Sequence, residues 1–137
     1  MPELMTEAKK ENLNDVLSFV KSQTDMYDCP PKIIMQLNLV IEEIFVNIAS
    51  YAYNSGTGPV RIRTDIKKDP LSIVIEFADD GVPYNPLAKE DPDITLSAEK
   101  RQIGGLGIYM VKKCVDNISY KYENGQNILT VEKNISC

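Results

Sequence analysis

A chain of 137 residues with 43% hydrophobic and 26% charged residues has the material for one globular domain, and this is not the composition of a disordered chain. Its net charge of −5 disfavours binding to nucleic acid or to an anionic membrane. It contains no histidine, which excludes histidine acid–base catalysis, Ser-His-Asp and Cys-His triads, histidine metal sites and phosphohistidine chemistry.

The opening segment MPELMTEAKKENL lacks the continuous apolar core of a signal peptide, and no apolar run approaches the length of a membrane span. Residues 12–24, NLNDVLSFVKSQT, place Leu13, Val16, Leu17 and Val20 at helical spacing, with Asn12 positioned as the N-cap. Cys29, Cys114 and Cys137 are far apart and form no CxxC pair, so neither a disulfide framework nor a zinc site is expected and a reducing cytoplasm is the simple reading. Pro30-Pro31 is suited to open a second helix, from about Pro31 to Ala52, whose stripe is Ile33, Leu37, Val40, Ile41, Ile44 and Ile48.

The turn NSGTGP ends that helix. Val60–Ile66 and Leu71–Phe77 then alternate as strands joined by KKDP. After ADDGVPYNP comes the polar stretch LAKEDPDITLSAEKRQ, too long for a routine turn and of the length expected of a lid. IGGLGIYMVKKCV reads as glycines feeding a short helix, and ISYKYE and NILTVEK form a second hairpin through NGQ. No repeat and no linker divides the chain, so residues 1–137 are expected to be a single domain. Helix, helix, hairpin, loop, helix, hairpin is an α+β order, a two-layer sandwich with a mixed, mostly antiparallel sheet and about three helices on one face.

Three stretches carry candidate chemistry. Glu43 and Asn47 stand four residues apart and share a helix face, whereas Glu42 falls on the opposite flank. The amide oxygen suits Mg²⁺ and the carboxylate can orient or deprotonate a nucleophile; the same pair can also simply edge the solvent side of an amphipathic helix. Asp79, Gly81 and Pro83 form D-x-G-x-P directly after an apolar strand. An aspartate there can accept from an exocyclic amine while the glycine admits a flat ring, although Asp-Gly is also a common turn. Gly104, Gly105 and Gly107, around Leu106, precede an apolar helix, an arrangement that binds phosphate or serves as a hinge. Neither a P-loop nor a dinucleotide fingerprint is present.

Taken together, Glu-x-x-x-Asn on a long helix, a hairpin, D-x-G-x-P, a loop and G-G-x-G opening a helix resemble the GHKL, or Bergerat, ATP-binding superfamily. The likeness runs from about Asn12 to Lys133 and is nearest to the single-domain bacterial anti-sigma factor serine kinases. In those proteins the asparagine helix often continues as N-x-x-x-H-A-Y; here the run is NIASYAY, with Ser50-Tyr51 in place of a charged residue and His. The resemblance implies Glu43 as general base, Asn47 as Mg²⁺ ligand, Asp79 on the adenine amine with Gly81 and Pro83 beside it, and Gly104, Gly105, Leu106 and Gly107 at the phosphates. It implies residues 87–103 as an ATP lid from which Lys100 or Arg101 reaches the γ-phosphate. It further implies ATP and Mg²⁺ as cofactors, a sigma factor and a STAS-domain anti-anti-sigma protein as partners, no direct contact with nucleic acid or membrane, and a homodimer. A nucleotide-sensing switch without phosphotransfer is the alternative.

Overall fold

The computed structural model describes residues 1–53, 56–88 and 105–136. Strand β1 spans Glu3–Glu7, helix α1 Leu13–Thr24, helix α2 Pro31–Tyr51, strand β2 Pro59–Lys67, strand β3 Ser72–Asp79, helix α3 Gly105–Cys114, strand β4 Asn117–Glu123 and strand β5 Gln126–Asn134. The strands form one five-stranded sheet of order β1-β2-β3-β5-β4, antiparallel at every pairing. The expected mixed sheet is therefore wholly antiparallel. β4 runs in the direction of β3 but takes the outer edge, and β5 returns between them.

β1 is the element the sequence order omitted. ELMTE is short and polar, yet it alternates, and its register (Leu4 opposite Ile62, Thr6 opposite Val60) turns its less exposed residues to the covered side of the sheet. Asn12 does not cap α1. It belongs to a 3-10 turn, Lys10–Asn12, has φ −92° and ψ 1° rather than an extended cap conformation, and its Nδ2 donates to the Glu7 carbonyl at 3.1 Å. Pro31 does open α2, where its missing N–H costs nothing.

One face of the sheet is covered by helices. The core joins Val16 and Val20 of α1, Val40, Ile41, Ile44 and Phe45 of α2, and Val111 of α3 to Ile62, Ile73, Ile75, Phe77 and Val131 of the sheet. α2 is long and apolar enough to cross a membrane by composition alone, with mean hydropathy 1.5, contrary to the sequence expectation. In the fold Leu37, Val40, Ile41, Ile44 and Phe45 bury that apolar stripe in the core. On the opposite face, cross-strand ion pairs link Arg61 to Glu3 at 3.3 Å and Lys67 to Glu132 at 3.3 Å, exposed contacts worth about 0–1 kcal/mol each.

Candidate functional site

Alternation along β3 puts Ile73, Ile75, Phe77 and Asp79 on the helix side, and the register sets them opposite Lys133, Val131, Leu129 and Asn127 of β5. The apolar pairs therefore give way, at one end of the two central strands, to a buried aspartate beside a buried asparagine. Asp79 is 5% exposed and Asn127 6%. A buried carboxylate without partners is costly, and here Oδ1 accepts from the Gly81 backbone N–H at 2.9 Å and from Asn127 Nδ2 at 3.0 Å. Burial pushes the Asp79 carboxyl above its ordinary range; the bonds from Asn127 and Gly81 work against that, and the neighbouring Asp80 charge adds to it.

Asn127 uses both ends of its amide. Nδ2 also donates to the Val82 carbonyl at 2.9 Å, while Oδ1 accepts from the Tyr84 N–H at 3.0 Å and the Tyr120 hydroxyl at 2.5 Å. One side chain thus fixes the carboxylate and the turn that follows it. The same turn is tied to α2: Val82 N–H donates to the Ala52 carbonyl at 3.0 Å, and a Cβ on Gly81 would overlap that carbonyl. The Tyr53 hydroxyl donates to the Pro59 carbonyl at 2.6 Å and accepts from the Asp80 N–H at 2.9 Å, joining the end of α2, the start of β2 and the turn.

These elements enclose a cleft. Ile44, Asn47, Ile48 and Tyr51 line it from α2, Phe77 and Asp79 from β3, Ile108 from α3, and Tyr120, Asn127 and Leu129 from the far hairpin. Val82, Tyr84 and Pro86 close one side. Apolar walls around one buried carboxylate fit a flat heterocycle that offers an amine donor. No group of three or more metal-ligating side chains exists among the described residues. A cation held at Asn47 would therefore complete its oxygen shell from ligand phosphates and water, as magnesium commonly does.

The structure brings Asn47, Asp79 and Gly81 to this region. Glu42 is exposed and Glu43 half-buried, as their helical spacing requires. Glu43 is absent from the cleft lining; its carboxylate lies on Gly107, so closely that a Cβ there would overlap it. Gly105 and Leu106 contribute their backbone to the first turn of α3. Pro83 is exposed and does not line the cleft. Gly104, Lys100 and Arg101, with most of the expected lid at 87–103, lie outside the described residues; Pro86–Ala88 is a 3-10 turn.

The pattern of a histidine kinase-like ATPase domain matches residues 6–133. The chain belongs to the histidine kinase-like ATPase family. Its relatives in that family include the serine/threonine-protein kinase BtrW of Bordetella bronchiseptica, 28% identical over 69% of this chain and 66% of the relative, and the serine-protein kinase RsbW of Bacillus cereus, 30% identical over 70% and 61%. The chain's match thus spans just under two thirds of these relatives' length. The histidine kinase-like ATPase fold recurs in the RsbU and RsbW domains of a Mycobacterium tuberculosis protein, with TM-score 0.67 and 13% identity over 100% of this chain and 33% of that one. It recurs also in a blue-light activated histidine kinase of Erythrobacter litoralis, with TM-score 0.62 and 15% identity over 93% and 42%.

Asn127 and the tyrosines of the cleft escaped the sequence reading. A signal did exist for Asn127: in NILTVEK it shares a face with Leu129 and Val131, a polar residue opening a buried row. Its partner could not be read, because Asp79 lies 48 residues away.

Proposed function

We propose that this single domain, residues 1–137, is an ATP-dependent serine/threonine kinase that acts in the cytoplasm on a STAS-domain anti-anti-sigma protein and binds a sigma factor, as a homodimer. The observation that carries the reading is the buried Asp79, held from one side by Asn127 and Gly81 at a cleft that Asn47 also lines. Membership of a kinase-like ATPase family supports it from a second direction.

In this reading Asp79 accepts a hydrogen bond from the adenine amine, and the apolar walls hold the ring. Asn47 presents its amide oxygen to Mg²⁺, and backbone N–H groups at Gly105, Leu106 and Gly107 face the phosphates. Mg-ATP supplies the phosphoryl group. Glu43 takes the proton from the partner's serine or threonine hydroxyl as the oxygen forms its bond to the γ-phosphorus and the bond to the ADP oxygen breaks. Incubation with γ-labelled ATP and a STAS-domain protein tests this directly. Label is expected on a serine or threonine of the partner and absent with Glu43→Gln, which still binds ATP. Undiminished transfer by that variant would remove Glu43 from the role of base.

A switch that binds nucleotide without transferring phosphate is the second reading. It is favoured by Glu43 resting on Gly107 instead of lining the cleft. Tight nucleotide binding with no label on the partner would select it.

A further inference from the structure

Among the described residues, Asp79 and Lys133 are the charged side chains that are buried. Asp79 belongs to the cleft. Lys133 lies at the other end of the central strands, opposite Ile73, and is 6% exposed. A lysine so placed among apolar residues needs a strong partner, since an uncompensated ammonium is expensive to bury. Its Nζ donates to the carbonyl of Cys114, the last residue of α3. That is the end of the helix where peptide dipoles leave partial negative charge and carbonyls lack internal partners, so a cation there is doubly favoured.

Two further bonds hold the same junction. The Asp116 N–H donates to the Glu132 carbonyl at 2.9 Å, and Asp116 Oδ2 accepts from the Asn134 N–H at 2.6 Å. The C-terminal end of α3 is thus bolted to β5 on both sides of Lys133. From Asn127 to Lys133 the strand covers about 20 Å, and the ten residues of α3 cover about 15 Å, so helix and strand span comparable lengths of the fold. At its opposite end α3 presses Gly107 against the Glu43 carboxylate.

We infer that Lys133 is a positioning residue for the phosphate end of the site: by fixing the C-terminal carbonyl of α3 it sets where the first turn, Gly105 to Gly107, stands relative to Glu43 and Asn47. The inference rests on reading that turn as the phosphate-binding segment. A rigid helix moves as a unit, so slack at Cys114 becomes displacement at Gly107. The adenine end is held chiefly by Asp79 on β3 and Asn127 on β5, with Ile108 as the contribution of α3 to its lining, so it depends far less on Lys133.

The two ends are separable with two ligands, adenosine and Mg-ADP, titrated calorimetrically against the whole chain. In Lys133→Met the Kd for Mg-ADP is expected to rise roughly tenfold while that for adenosine rises by less than about twofold, and Lys133→Arg, which keeps a cation at the helix end, restores ADP affinity. Equal losses for both ligands, or no loss for either in a folded Lys133→Met chain, would overturn the inference. Should Lys133→Met not fold, Asp116→Ala loosens the same junction from the solvent side, and the same ADP-selective loss is expected, smaller in size. A parent chain that binds ADP no better than adenosine would overturn the phosphate-end reading itself, a result visible before any variant is made.

Discussion

Asp79 sits where a carboxylate is unfavourable, and its raised pKa has a definite consequence for stability. Below its unfolded value the group is protonated in both states. Between that value and the higher folded one the native state holds more protons than the unfolded state, so stability falls as pH rises through the window and stays reduced above it. Asp79→Asn should therefore leave the unliganded fold at least as stable at neutral pH, because an amide oxygen can still accept from Gly81 and Asn127. The pH dependence of its melting temperature should be flatter than the parent's. On the proposed function its affinity for Mg-ATP should drop by roughly tenfold or more, since an amide N–H would then face the adenine amine, donor against donor. Asn127→Ala has the opposite signature. It strips a partner from Asp79 and removes the acceptor that Asn127 gives the Tyr84 N–H, and a cost of about 1–3 kcal/mol in denaturant unfolding is expected together with weaker nucleotide binding.

Two glycines show how differently one residue type acts in neighbouring elements. At Gly81 the obstructing atoms are backbone, the carbonyl of Ala52, which cannot step aside. Gly81→Ala should therefore lower stability by at least about 1–3 kcal/mol, read as a shift of the denaturation midpoint, and pull the turn off α2. At Gly107 the obstruction is the end of the Glu43 side chain, which can rotate away. Alanine is also favoured over glycine inside a helix by about 0.5–1 kcal/mol. Gly107→Ala should melt no lower than the parent yet, on the proposed function, transfer less phosphate, because the displaced group is Glu43. Local pattern exposed much of this level. The periodicity of α2 separated Glu43 from Glu42, and alternation found β2 and β3 to within two residues at each end. β1 stayed hidden because five mostly polar residues derive their stability as a strand from pairing with β2, and Asn12 looked like a cap because a 3-10 turn leaves no composition signal.

Across the whole molecule, the contacts that build the site are the long-range ones, and this is where sequence reasoning thinned. Lys133 reads on paper as a strand-end solvent charge; only the fold of α3 over β5 reveals the carbonyl that it serves. The sheet edge behaves similarly. β1 occupies the free edge of β2 and the buried Ala8 N–H donates to the Gly58 carbonyl at 2.8 Å, so deleting residues 1–8 should uncover an unpaired strand. Lower thermal stability and concentration-dependent association in light scattering are expected of that truncation. The cleft also has an optical consequence. The chain contains no tryptophan, so its intrinsic emission comes from seven tyrosines, and three of them, Tyr51, Tyr84 and Tyr120, line the cleft. The protein therefore carries its own fluorophores at the place where a ligand would dock, and occupancy can be followed by tyrosine emission in the unlabelled chain.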